Sequence, residues 1–151
     1  MNKTELAEYI LSLASGCEVK EGKQYVEVSL PAGLLHSVAL RLREDERTSA
    51  DFLNCITGVD YGRDLGAVYH LHSSKYNHTI VLKVRTSDRV NPAFDSVTDI
   101  WRSAEFLERE VYDLLGIKFN GHPDLRRLFL DKSWGFPLRK DYVDDVKIVS
   151  K

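Results

Sequence analysis

The sequence predicts an α+β fold: a two-layer domain with helices packed on a largely antiparallel sheet, in the order α-β-β-α-β-β-β-α, followed by an irregular C-terminal extension. Three observations carry the prediction. Helical and strand periodicities come in runs, not in regular βαβ units. The predicted strands are joined by short turn-forming stretches, which favour antiparallel pairing because parallel strands need long crossovers. The 151 residues suffice for one domain with a real core, and no internal repeat is visible. Residues 1–116 are read as the α+β domain and 117–151 as its C-terminal motif and docking tail.

Asn2-x-x-Glu5 resembles a capping box, and Leu6, Tyr9, Ile10 and Leu13 form a helical stripe that stops at Gly16. "CEVKEGKQYVEVSL" predicts a hairpin turning at Glu21-Gly22, with Val26, Val28 and Leu30 alternating onto one face. Pro31 opens a second helix, where its fixed φ and missing N–H suit a first position. Leu34, Leu35, Val38 and Leu42 line that helix, which ends in "REDER". Three strands follow, Phe52–Tyr61, Ala67–Ser73 and His78–Arg85, separated by the turn-forming "GRDLG" and "SSKYN". "DRVNPAFDSVTD" is a polar connection, and a third helix is expected to begin between Asp95 and Asp99. Beyond Gly116 no long periodic element is visible.

Composition narrows the function. A formal net charge of −2 leaves no basic footprint for nucleic acid. Mean hydropathy is −0.30, and no apolar run approaches the roughly 20 residues that span a bilayer. Glu5 and Glu8 interrupt the apolar part of the N-terminus, which therefore reads as part of the fold and not as a signal peptide. The two cysteines, Cys17 and Cys55, are too few for a disulfide framework or for the four thiolates of an iron–sulfur cluster. A reducing, cytoplasmic setting is the expectation.

Three stretches could carry chemistry. "YHLHSSKYNH" holds His70, His72 and His78, and His-x-His on a strand can serve zinc. Alternation argues against it: Tyr69 and Leu71 take the core face and send His70 and His72 outward, while His78 shares parity with Ile80, Leu82 and Val84. A small His-dependent metalloenzyme is the distant alternative. Cys55 lies in an apolar strand, where a buried inert thiol is the ordinary reading, and Asp60 ends that strand as a polar cap. "GHPDLRR" could hold a phosphate, although such a cluster in a turn is more often a hydrogen-bonded corner. No nucleophile elbow, P-loop or dinucleotide fingerprint is present.

The third stretch is the helix over 100–116. At about 100° per residue, Trp101, Ala104, Leu107, Val111, Leu114 and Leu115 form the core side. Arg102, Phe106, Arg109 and Asp113 fall opposite, with Glu105–Arg109 and Arg109–Asp113 as candidate i,i+4 pairs. Glu108 and Glu110 sit on the borders of the stripe, where a carboxylate needs a partner; Arg126 and Arg127 are the expected ones. An exposed Phe106 beside arginines has a hot-spot composition. An amphipathic helix with a satisfied rim and an interface face both remain open.

The run "EREVYDLLGIKFNGHPDLRR" followed by "SWGFPLRKDY" closely resembles the signature of the C-type subunit of the proton-pumping NADH:quinone oxidoreductase, respiratory complex I. The resemblance is strong from Trp101 to Tyr142. Before that it rests on element order and on "ITGVDY". It implies a non-catalytic, hydrophilic subunit of the peripheral arm, an enzyme only as part of the whole complex. Such a subunit docks on the quinone-site subunit and neighbouring peripheral-arm subunits. FMN and iron–sulfur clusters are then expected in partner subunits, with NADH and quinone as substrates of the complex. Location on the cytoplasmic side of the cell membrane, through partners only, follows. Carried over by motif, Glu108, Arg109, Glu110, Asp113, Gly116, His122, Pro123, Asp124, Arg126 and Arg127 are characteristic residues, as are Pro137, Leu138, Arg139, Lys140, Asp141 and Tyr142. The family treats them as structural and interface residues. A gripping surface of Phe106, Arg102 and Arg109 with the "PLRKDY" tail is the resulting expectation. Ferredoxin-linked and hydrogenase-type relatives carry an equivalent subunit, which is the alternative reading.

Overall fold

The N-terminal capping box forms as the sequence requires. In a computed structural model, which describes residues 2–130 and 135–142, the Asn2 side chain accepts from the Glu5 N–H while Glu5 reaches back to the Asn2 N–H. That cap starts α1 (Lys3–Leu13), whose Leu6 and Ile10 are buried. A tight turn closed by the Gly22 N–H on the Tyr25 carbonyl joins β1 (Glu18–Glu21) to β2 (Val26–Ser29). Pro31 precedes a 3-10 turn (Ala32–Leu34) that runs into α2 (Leu35–Glu44). β3 (Phe52–Asp60), β4 (Leu65–Ser73) and β5 (His78–Thr86) form an antiparallel meander.

The five strands pair in the order β1-β2-β5-β4-β3, with three antiparallel contacts and one parallel, β2 on β5. The parallel contact sets Val26 beside Ile80 and Val28 beside Leu82. No local turn signal announces it, because the two strands are joined by α2 and the whole β3–β4 excursion. Val26, Val28, Ile56, Tyr69, Leu71, Ile80 and Leu82 bury one face of the sheet, together with Leu6, Ile10, Leu35, Leu42, Val111 and Leu115 from the helices.

The C-terminal part departs from expectation in two places. The segment expected to start a helix near Asp95 is instead a strand, β6 (Ala93–Asp95), and α3 spans Ala104–Leu115. β7 (Lys118–Asn120) pairs with β6 in parallel, so the region after Gly116 is not wholly irregular. Both strands are three residues long, too short for alternation to be visible, and Phe94 and Phe119 face each other at 6.4 Å between ring centroids.

Two glycines fix how α3 sits. A Cβ on Gly58 of β3 would overlap Leu115 Cδ1 and lie 3.0 Å from Val111 Cγ1, so the glycine of "ITGVDY" leaves the room that α3 fills against the sheet. Gly116 ends α3 with φ +76°, a conformation that suits glycine at a helix C-terminus. A Cβ there would come within 2.7 Å of the Phe136 ring, which brings the second signature motif onto the end of the helix.

Candidate functional site

The two signature motifs fold back onto α3 and onto the end of β3, and Glu108, Arg109, Asp113, Arg127 and Arg139 turn inward while the other described charges of the motifs stay exposed. Asp113 is fully buried. Its Oδ1 accepts from Arg127 Nε at 2.5 Å, and its Oδ2 accepts from the Phe129 and Leu130 N–H groups at 2.9 and 3.2 Å. Burial alone would raise its pKa, but these donors outweigh it and hold the carboxyl below its ordinary range. One turn earlier, Arg109 donates from Nε and Nη2 to the Arg126 and Arg127 carbonyls at 3.3 and 3.1 Å. His122 donates from Nε2 to the Glu105 carbonyl and accepts the Asp124 N–H at Nδ1, both at 2.9 Å, which fixes its tautomer. "GHPDLRR" is therefore a hydrogen-bonded corner laid against α3.

The helical wheel puts Arg109 and Asp113 on a solvent face, and that expectation is corrected: Arg109 is buried and Asp113 fully so. The predicted i,i+4 pairs Glu105–Arg109 and Arg109–Asp113 are not among the ion pairs of the described residues, since Arg109 is spent on carbonyls and Asp113 on Arg127. The expected clasp of Glu108 or Glu110 with Arg126 or Arg127 is also corrected. Glu108 turns the other way, while Glu110 is exposed and Arg126 pairs with Asp124 at the surface. A helical wheel assumes one buried face, and the returning tail gives α3 a second.

The second motif caps the helix and the strand end together. Arg139 Nε donates to the Leu115 carbonyl at 2.6 Å, the Leu138 N–H to the Leu114 carbonyl at 3.1 Å, and Arg139 Nη1 to the Arg89 carbonyl at 3.1 Å. The last carbonyls of a helix lack partners within it, and its C-terminus favours a cation, so the tail supplies what α3 needs. Arg127 and Arg139 each lie 5.1 Å from the Phe136 ring centroid. Arg139 is thus engaged within the chain, as the buried Arg109 is.

Asp60 anchors the other side. Arg89 grips it with two bonds of 2.8 and 2.9 Å, and the Gly62 and Lys140 N–H groups each donate at 2.8 Å. The Arg89 guanidinium, foremost, holds this carboxyl far below its usual range. The reading of Asp60 as a polar cap stands, but its partner in the polar connection could not be read from the sequence. An acid closing an apolar strand announces only that some donor must exist. Arg89 also approaches Asp141 at 3.5 Å, whereas Ser133 and Trp134 of the same motif lie outside the described residues.

Glu108 behaves oppositely. It is fully buried, accepts from Ser96 Oγ at 2.6 Å and from the Val97 N–H at 2.8 Å, and burial pushes its pKa up to about 7 from an ordinary 4.5. A raised carboxyl binds its proton more tightly in the folded chain than in the unfolded one. Its contribution is then fully present below the unfolded value and is lost as pH rises through the folded one. Wild-type unfolding free energy is expected to fall by up to about 3 kcal/mol between pH 5 and 8 from this group. Glu108→Gln, whose amide matches the donor and acceptor pattern of the neutral acid, should remove that slope in urea titrations; an unchanged slope would refute the assignment.

The histidines are placed as strand parity requires, Tyr69 and Leu71 being fully buried with His70 and His72 on the other face. His70 faces Cys55 at 3.3 Å, His72 faces Thr79 at 3.2 Å, and His78 reaches the Thr48 carbonyl at 2.8 Å. Among the described residues no group of three metal-ligating side chains converges. Cys55 is half-buried rather than buried, because a register shift between Leu53 and Cys55 turns it to the face opposite the helices.

Large apolar side chains are exposed along the signature, Phe106 at 62%, Phe129 at 73% and Leu138 at 57%, beside exposed charges of both signs that include Glu110, Asp124 and Arg126.

Comparison with known proteins bears on what such a fold serves. The family model for the respiratory-chain NADH dehydrogenase 30 kDa subunit matches residues 28–146. The chain belongs to that family. Among relatives of this chain, the C/D-type subunit of NADH-quinone oxidoreductase from Phocaeicola vulgatus is 51% identical over 117 residues, covering 76% of this chain and 22% of the relative. The C-type subunit of NADH-quinone oxidoreductase from Chloroherpeton thalassium is 45% identical over 109 residues, covering 70% of this chain and 45% of the relative. In each case less than half of the relative's length is spanned. A chain in the structure of the membrane-bound sulfane sulfur reductase, an archaeal respiratory membrane complex, superposes with a TM-score of 0.82 at 25% identity, covering 95% of this chain and 86% of that one. No helix among the described residues is long and apolar enough to cross a membrane.

Proposed function

We propose that this chain is a non-catalytic peripheral-arm subunit of a proton-pumping NADH:quinone oxidoreductase. It docks on the quinone-site subunit at the cytoplasmic side of the cell membrane, and its membrane association runs through its partners. Electrons pass from NADH to quinone through FMN and iron–sulfur clusters held by those partners. The observation that carries this reading is the family match across both signature motifs, supported by relatives named as C-type and C/D-type subunits. Residues 117–151 act as the docking tail of the 1–116 domain. Within the signature, Arg109, Asp113, His122, Arg127 and Arg139 position the tail, and Phe106, Arg126, Phe129 and Leu138 meet the partner. That division follows burial, since an arginine spent on carbonyls inside the fold has no fork left for a partner carboxylate.

A second reading has its own support. The likeness to the sulfane sulfur reductase chain favours the equivalent subunit of a related respiratory membrane complex with another electron donor. An affinity-tagged chain recovered from solubilised membranes of its host separates the two. Co-elution of flavin and iron–sulfur subunits with NADH-driven quinone reduction supports the first reading. Co-elution of a membrane complex that NADH does not reduce supports the second, and recovery of the chain alone contradicts both.

A further inference from the structure

Glu108 lies at the inner end of a line of hydroxyl groups. Ser96 Oγ is 2.6 Å from Glu108 Oε1, and Thr98 Oγ1 is 2.9 Å from Ser96 Oγ, with either hydroxyl able to donate. Ser96 and Thr98 both line an open surface cavity of about 360 Å³ that also carries His36, Asp95, Asp99 and Asn120. At that surface His36 Nε2 pairs with Asp99 Oδ2 at 2.8 Å. Deeper in the core, Tyr69 is fully buried, and its hydroxyl is a buried polar atom with no hydrogen-bond partner among the described residues.

The groups around the carboxyl leave it without a counter-charge. Tyr69 from β4 feels both Glu108 and Asp95 of β6, and Asp99 repels the ionised Glu108. His36 of α2 is engaged by Asp99, and Arg109, next in sequence, turns to the tail carbonyls. No cation pairs with Glu108 among the ion pairs of the described residues. A lone carboxylate in such a place is costly, and the ordinary escape is to take up a proton.

We propose that Glu108 is a buried proton-binding site that exchanges with solvent through the Ser96 and Thr98 hydroxyls into the His36–Asp99 cavity. In the outward direction the Glu108 O–H gives its proton to Ser96 Oγ as Ser96 gives its own to Thr98 Oγ1, and Thr98 releases one to solvent. One proton leaves, both hydroxyls are regenerated, and Glu108 is left ionised. Because Glu108 also holds the Val97 N–H, its proton occupancy is linked to the seat of α3, the helix that carries Arg109 and Asp113. This proton site belongs to the chain by itself, whether or not the chain docks on a partner.

Infrared difference spectroscopy of the full chain tests both halves. A protonated-carboxyl band that disappears with a midpoint near neutrality, and is missing in Glu108→Gln, is the expected result. An identical band in Glu108→Gln, or none that titrates there, overturns the site. For the path, hydrogen–deuterium exchange of that band is followed after mixing into deuterated buffer below neutrality. Ser96 is only 5% exposed and Thr98 is the more accessible hydroxyl, so Thr98→Val should slow it at least about tenfold with an unchanged midpoint, exchange then waiting for local opening. Thr98→Ser, which keeps the hydroxyl, should restore the wild-type rate. Equal rates in wild type and Thr98→Val would overturn the path.

Discussion

Asp113→Ala is expected to lower the unfolding free energy by about 3–5 kcal/mol, the cost of breaking a buried ion pair by removing one partner. The carboxylate satisfies the Arg127 guanidinium and the Phe129 and Leu130 N–H groups at once, and the Arg127 side chain is only 14% exposed. Truncation takes the acceptor from Arg127 Nε and from both N–H groups. Asp113→Asn keeps an acceptor oxygen without the charge and should fall between wild type and Ala. Urea denaturation gives the magnitude, and trypsin cleavage at the exposed Arg126 reports whether the tail has lifted from α3. An Asp113→Ala chain with the wild-type midpoint and no faster cleavage would mean that the tail is not held by this clasp.

Asp60→Ala should cost about 3 kcal/mol near neutral pH by the same physics at the other end of the site. It leaves Arg89 without its bidentate partner and frees the Gly62 and Lys140 N–H groups, so the Asp60 tie between β3, the Arg89 connection and the second motif is lost. Its pH dependence runs opposite to that of Glu108. A carboxyl held far below its ordinary value contributes stability that is present above the unfolded pKa and is lost as pH falls toward the folded one. Wild type should therefore lose stability steeply below about pH 4, and Asp60→Ala should show a shallower acid limb. A parallel acid limb in the variant would assign that loss to other carboxylates.

The fold was legible where structure is local. The Asn2–Glu5 box, Pro31 before its helical turn and the alternation of Val26, Val28 and Leu30 each name their own geometry within a few residues. The parallel β2–β5 contact and the three-residue strands β6 and β7 were not, because long-range pairing has no local turn signal and three residues carry no period. For the site, the signature stretch was visible as a concentration of charge with apolar residues, but the pairing inside it was not. Reading Asp113 and Arg109 as outward followed from granting α3 one buried face. The error has a physical cause: a tail without periodicity covered the second face by spending backbone N–H and C=O groups on those side chains. Glu108 was correctly seen as needing a partner. That the partner is a hydroxyl and an amide, and not an arginine, depends on a loop lying before the helix in sequence.

On the proposed function, the signature divides into side chains that hold the tail and side chains that meet a partner. Phe106→Ala combined with Phe129→Ala tests it most directly, since both rings are largely exposed while Arg109, Asp113 and Arg139 are engaged within the chain. The measurement is the affinity of the purified variant for the quinone-site subunit, taken beside its urea midpoint. The predicted result is an unchanged midpoint and binding weaker by at least roughly thirtyfold, the effect of losing a hot spot of about 2 kcal/mol. Unchanged affinity with a lowered midpoint would contradict it, placing the two rings among the structural residues and the docking surface elsewhere on the chain.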